Sequence, residues 1–254
     1  VVAKYARNFL PILFNLFVAA PPERRGELSA TVGCFAQVTD AASLGGFFRT
    51  VLRKLVKVTS DAEDAPDALT EGGADRSQRR CTFMDLALAM VPGLDGASRD
   101  LVFKAARPAT TEKDAAVQKR AYKLLAALMK PSTAAGGGPG AGVVSGSEWL
   151  STNREAAEEA LVEGSGCCAP AARRYRLRCV AAILPSLMER EAAADDEENG
   201  DEKDDDDERV DNNNKKNKGD AMGAAGGTFT VLLGELIVAT KETNARTRQQ
   251  AFKL

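Results

Sequence analysis

Apolar residues recur at helical spacing along almost the whole chain, and this periodicity constrains the fold more than any other feature. Tyr5, Phe9, Ile12, Leu13, Leu16 and Phe17 make one such set. Leu44, Phe47, Phe48, Val51, Leu52 and Leu55 make a second, and Val117, Ala121, Leu124, Leu125 and Leu128 a third. Leu177, Val180, Ala181, Leu184, Leu187 and Met188 follow, then Phe229, Leu232, Leu233, Leu236 and Ile237. Each set places one apolar stripe on a helix with polar residues opposite. Weaker patterns fit helices over 28–38, 83–91, 101–107, 148–162 and 244–254, so about ten helices are predicted. Phe9, Phe48, Leu124 and Leu233 are expected to point inward.

Strand signals are nearly absent. Thr228 to Leu233 carries β-propensity, but its stripe continues to Ile237 and favours a helix. Polar, Gly- and Pro-containing stretches at 60–77, 131–147 and 195–227 exceed ordinary connections and read as flexible insertions. The domain organisation is then one helical array over 1–254, read as a piece of a longer chain. No apolar run approaches the roughly 20 residues that span a bilayer.

The chain also echoes itself. Glu112, Asp114, Ala115, Ala121, Tyr122, Lys123 and Leu124 recur as Glu242, Asn244, Ala245, Ala251, Phe252, Lys253 and Leu254. Asp114 and Asn244 suit the N-cap of a helix, where a side-chain oxygen accepts from free N–H groups. The small Ala suits close helix packing, and the aromatic and Leu are expected in the buried stripe. Apolar-Pro-x-Leu recurs at Pro11, Pro92 and Pro185, within or at the end of a helix, where proline bends the backbone. Helix pairs repeating every ~40–47 residues accommodate these echoes, the spacing between Asp114 and Asn244 being about three units. The expected architecture is an all-α solenoid of HEAT/armadillo type. Neighbouring pairs bury each other's faces and build an extended binding surface.

Three segments carry a family resemblance: 5–16, 117–125, and 241–248 with 251–254. There the sequence resembles the family of ribosomal RNA processing protein twelve, nucleolar HEAT-repeat proteins, in the central repeat region. The resemblance implies work in the nucleus and nucleolus on pre-ribosomal RNA processing and export of pre-ribosomal subunits. It implies partners among pre-ribosomal proteins, RNA and the nuclear transport machinery, and no catalytic residues. The Gly-rich stretch at 131–147 and the acidic one at 195–208 depart from the family's pattern.

Charge is unevenly spread. The formal net charge is −2, yet Asp195 to Glu208 holds eleven acids and one Lys, leaving the rest of the chain about +8. So dense an acidic tract is expected to stay unpacked. Cations gather on predicted helices: Arg49, Arg53, Lys54 and Lys57; Lys119, Arg120 and Lys123; Arg173, Arg174, Arg176 and Arg178. The last two groups are the RNA-contact candidates, since phosphate binding needs cations along a solvent-facing ridge. No RRM, KH or zinc-finger pattern occurs, and aromatics are only 6%, which argues against base-specific stacking.

No enzyme signature survives inspection. Histidine is absent, which removes the commonest acid/base and metal ligand. The Gly-rich stretch at 136–142 lacks the Lys-Ser/Thr of a phosphate loop, and the acidic tract lacks EF-hand spacing. Cys34, Cys81, Cys167, Cys168 and Cys179 form no CxxC pair, and their odd number fits free thiols in a reducing compartment. No cofactor, metal or small-molecule substrate is expected. The reading is a non-catalytic scaffold of ribosome biogenesis. The alternatives are an importin-type transport receptor and a scaffold subunit of a phosphatase or kinase complex.

Overall fold

A computed structural model describes residues 2–63, 71–130, 144–200 and 216–253, and side chains within 5–60, 76–130, 144–193 and 227–253. Among the described residues there are ten α-helices and no strand. They are α1 (Val2–Ala19), α2 (Arg25–Val38), α3 (Ala41–Glu63), α4 (Glu71–Met90), α5 (Gly96–Ala106), α6 (Ala115–Met129), α7 (Gly146–Glu163), α8 (Pro170–Gly200), α9 (Lys216–Ala239) and α10 (Ala245–Ala251). Consecutive helices pair as five hairpins. The even-numbered helices form a continuous layer in the order α2, α4, α6, α8, α10, with the odd-numbered helices packed along it. The chain is an all-α helical-repeat solenoid.

Local chemistry sets the helix starts. Asp95 accepts from the Ser98 N–H at 2.8 Å, and Ser145 from the Glu148 N–H at 3.1 Å. Asp114 accepts from the Ala116 and Val117 N–H groups, and Asn244 from those of Arg246 and Thr247. Such caps are each worth about 1 kcal/mol. The cap residues of the repeat therefore do the same work in α6 and α10. Those helices lie two hairpins apart rather than three, because the insertions at 131–147 and 195–227 stretch the intervening units beyond the ~40–47-residue period.

One core runs through the array, from Leu10 on α1 through Phe48, Met90, Leu125 and Ile183 to Leu232 on α9. Leu177, Ala239 and Ala251 form a small second cluster under α10. Two close approaches hold the hairpins tight. Val91–Gly93 forms a 3₁₀ turn after α4, and a Cβ on Gly93 would lie 2.3 Å from the Ala36 carbonyl oxygen. A Cβ on Gly146 would lie 1.9 Å from that of Lys130. Arg99 is buried and donates to the carbonyls of Leu94, Val91 and Leu128, gathering the ends of α4 and α6. Helix α7 kinks at Asn153, whose amide donates to Asp100, which also accepts from Trp149 Nε1 at 2.8 Å.

Several expectations need correction. In α1 the buried stripe is Ala6, Leu10, Phe14 and Phe17. Tyr5, Phe9, Ile12 and Leu16 are each about half exposed on another face, so α1 is apolar on two sides. Phe48 and Leu124 are buried and Leu233 half-buried, but Phe9 is 49% exposed. Tyr122 is fully buried because α8 covers it, whereas Phe252 at the matching position of α10 is 72% exposed, with no described element over it. The segment 228–233 is helical within α9, as its stripe to Ile237 predicted. Helices also extend into all three supposed insertions: α3 reaches Glu63, α4 starts at Glu71, α7 starts at Gly146, α8 continues to Gly200 and α9 starts at Lys216. The Gly-rich centre of 131–147 and the acidic residues 201–208 lie outside the described residues.

Candidate functional site

The basic residues of α8 divide by position on the helix. Arg176 is completely buried. Its Nε and Nη2 donate to both carboxylate oxygens of Glu235 on α9, at 2.6 and 2.7 Å. Nη2 also donates to the Leu161 carbonyl at 2.6 Å, and Nη1 to the Tyr122 hydroxyl at 3.0 Å. Burial alone would lower its pKa. The hydrogen bonds it donates to Glu235 and the charges around it outweigh that cost and hold the guanidinium above its ordinary value. Burial likewise pushes Tyr122 up to about 12, with Arg176 opposing. Arg176 thus ties α6, α7, α8 and α9 together and has no surface to offer RNA.

Arg173 is half-buried in an ion pair with Glu242, and its Nε donates to the Cys168 carbonyl. Arg120 on α6 pairs with Asp85 on α4 at 2.9 Å and is likewise half-buried. Both are engaged in holding neighbouring hairpins. Lys119, Lys123 and Arg174 are half-exposed and Arg178 is exposed. Lys123, Arg174 and Arg178 surround the ring of Tyr175, with cations 5.2, 5.8 and 5.2 Å from its centroid. The structure therefore brings Lys123, Arg174 and Arg178 together, buries Arg176, and holds the partly exposed Arg173 and Arg120 in ion pairs.

The third basic group behaves differently. Arg49, Arg53, Lys54 and Lys57 are all exposed along one side of α3, and none is in an ion pair among the described residues. They span about 12 Å at the α-helical rise. Arg49, Arg53 and Lys57 rim a shallow depression of about 410 Å³ with Leu52, Val56 and Ser60.

A larger groove, about 950 Å³, lies between α6 and α8 and is closed on one side by the start of α7. Ala126, Ala127, Ala181 and Ala182 are among its apolar lining, and Lys123, Lys130, Arg154, Arg178 and Glu189 are its charged residues. Among the described residues no group of His, Cys, Asp and Glu has an arrangement able to hold a metal. None of the described helices is long and apolar enough to cross a membrane.

The repeat echo has a second chemical role beyond capping. Glu112, two residues before its cap Asp114, accepts from Arg80 on α4, one contact being 2.8 Å. Glu242, two residues before its cap Asn244, pairs with Arg173 on α8. Each Glu reaches back to an arginine on the preceding helix of the even layer. At the α6–α8 junction a neutral residue takes over: buried Gln118 donates to the Thr110 and Cys167 carbonyls and accepts from the Ala169 N–H.

No family model matches the chain. It is 26% identical over its whole length to the human RRP12-like protein, and 25% identical over its whole length to the chicken one. The resemblance is to the RRP12 proteins. Over 48% of the chain it is also 26% identical to Ribosomal RNA-processing protein 12 of Saccharomyces cerevisiae. The chain spans about 15% of the length of the human and chicken RRP12-like proteins. Reading the sequence missed Glu235, Glu242, Gln118 and Arg99, the residues that join the hairpins. Only Glu242 gave a signal, through its place in the echo. The groove gave none, because alanine at a groove wall looks like alanine in a tight interface.

Proposed function

We propose that this chain is a non-catalytic helical-repeat scaffold of ribosome biogenesis, acting in pre-ribosomal RNA processing and in nuclear export of pre-ribosomal subunits. Its place of work is the nucleus and nucleolus. The observation that carries the reading is similarity to RRP12-like proteins along the entire chain. A hairpin array with extended faces is physically suited to the role, since such arrays hold partners over long surfaces. Direct RNA contact is assigned to the α3 ridge of Arg49, Arg53, Lys54 and Lys57, which is exposed and has no carboxylate partner among the described residues. It is not assigned to Arg173 or Arg176, which are bound within the fold.

The test is depletion of the protein followed by northern analysis of pre-ribosomal RNA and gradient sedimentation of the tagged protein. The expected outcome is accumulation of unprocessed precursors and co-sedimentation with pre-ribosomal particles. Co-purification instead with cargo released by Ran-GTP, or with a phosphatase or kinase subunit, defeats the reading. For RNA contact, the 254-residue chain is titrated with single-stranded RNA over a range of salt. Replacing the four α3 cations with Gln should flatten the logarithmic salt slope by about 3, four phosphate contacts at ~0.7 each. An unchanged slope removes α3 from the claim.

A further inference from the structure

We propose that the groove between α6 and α8 is a docking site for an acidic peptide segment of a partner protein, bearing apolar side chains between its carboxylates. This stands whether or not the chain works in ribosome assembly.

The groove exists because small residues face each other. Ala126 and Ala127 on α6 and Ala181 and Ala182 on α8 leave a trough of about 950 Å³ where larger side chains would interdigitate. Its long wall runs from Tyr175 to Glu189, about 21 Å at the α-helical rise, which matches about six extended residues. Apolar side chains gain by lying on the alanine floor.

The rim supplies the sign of the ligand. Lys123, Lys130, Arg154 and Arg178 line the groove, and none is in an ion pair among the described residues. Glu189 is the one acid in the lining. Four cations against one carboxylate favour an acidic ligand by charge complementarity. Pro185 adds a backbone feature. It has no N–H for the Ala181 carbonyl, and both residues line the groove. That carbonyl therefore lacks its regular helical donor on a residue that lines the groove.

RNA fits less well. Three cations already stand over the Tyr175 ring, at 5.2 to 5.8 Å from its centroid, where a base would have to stack. Phosphates gain nothing from an alanine floor, whereas alternating acidic and apolar side chains use floor and rim together.

The test pans a phage-displayed library of random nine-residue peptides on the 254-residue chain. The leading peptide is then fluorescein-labelled and titrated by fluorescence anisotropy. Enrichment of Asp or Glu interleaved with Leu, Ile, Val or Phe is expected. Lys130→Glu with Arg178→Glu, both at exposed positions, should weaken binding about ten-fold or more. The reversed chain should regain binding to a peptide whose acids are replaced by Lys, a swap that a folding defect cannot produce. Circular dichroism checks that the variant retains its helicity. A library without binders, winners lacking acids, or affinity indifferent to the double variant overturns the proposal. So does a 15-nucleotide oligouridylate that binds through these cations more tightly than the peptide. Binding that emerges only after deletion of 201–215 would give the groove to this chain's own acidic tract, and also overturns it.

Discussion

On α3, Arg49, Arg53, Lys54 and Lys57 stand in solvent without a carboxylate partner among the described residues, while on α8 Arg173 and Arg176 are clamped between hairpins by Glu242 and Glu235. Both groups are runs of four cations on amphipathic helices. The difference is which neighbour each helix acquires. Beside the α8 cations lies α9, which brings Glu235, and the α9–α10 turn, which brings Glu242. No described carboxylate reaches the α3 cations. Basic clustering in a repeat protein therefore marks two different things, a surface for partners or a joint between repeats, and the surrounding helices decide.

The comparison breaks most sharply at Arg176. Arg176→Ala leaves the Tyr122 hydroxyl and Leu161 carbonyl without their donor and Glu235 without its cation. A loss of roughly 3–5 kcal/mol is expected in urea unfolding, as for a broken buried pair. A loss below ~1 kcal/mol would show that the joint is not structural. The next largest effect is expected at alkaline pH. Burial raises Cys168 to about 11 and Cys179 and Tyr122 to about 12, each above its ordinary value. A raised folded-state pKa means that this stabilisation is fully present below the unfolded pKa. It is lost as pH climbs through the folded one. For these groups the thermal midpoint, measured with reductant, should stay level from pH 7 to about 9 and fall between about 9 and 12.

Close approach comes third. Gly146→Ala drives a methyl into the Lys130 carbonyl at the end of α6 and should cost about 1–3 kcal/mol. The two caps come next. Asn244→Ala should cost about 1 kcal/mol. Asp114→Ala should cost somewhat more, because its carboxylate also accepts from the Ser77 hydroxyl. Equal costs would mean that the Ser77 contact adds nothing. Smallest is the α3 series: replacing all four cations with Gln should shift stability by no more than about 0.5 kcal/mol per site. A large loss there would erase the distinction between the two clusters.

Much of the fold was legible because helix formation is a local matter. The apolar spacing of Leu44 to Leu55 and of Val117 to Leu128 located α3 and α6, and Asp114 and Asn244 marked the caps of α6 and α10. Periodicity failed where a helix has two apolar faces. In α1 the sequence offers both Phe9 with Ile12 and Leu10 with Phe14; the array buries the second pair, with Phe14 against Phe47 of α3, while Phe9 stays half exposed beside Phe35 of α2. It failed again at Phe252, which matches Tyr122 in sequence but lacks an α8 to cover it. The candidate site was less legible still. Of seven basic residues expected at an RNA surface, Arg120, Arg173 and Arg176 prove to be joints, and Lys123, Arg174 and Arg178 gather round Tyr175.

By itself the sequence determined the helices, their caps and the repeated Glu-x-Asp/Asn signal, since each depends on residues within a turn or two of one another. Tertiary structure alone decided which of two stripes is buried, which arginines hold hairpins together and where alanines leave a groove. Those outcomes depend on side chains tens of residues apart meeting across a helix interface. An amphipathic pattern specifies that a face will be covered, but not by which helix.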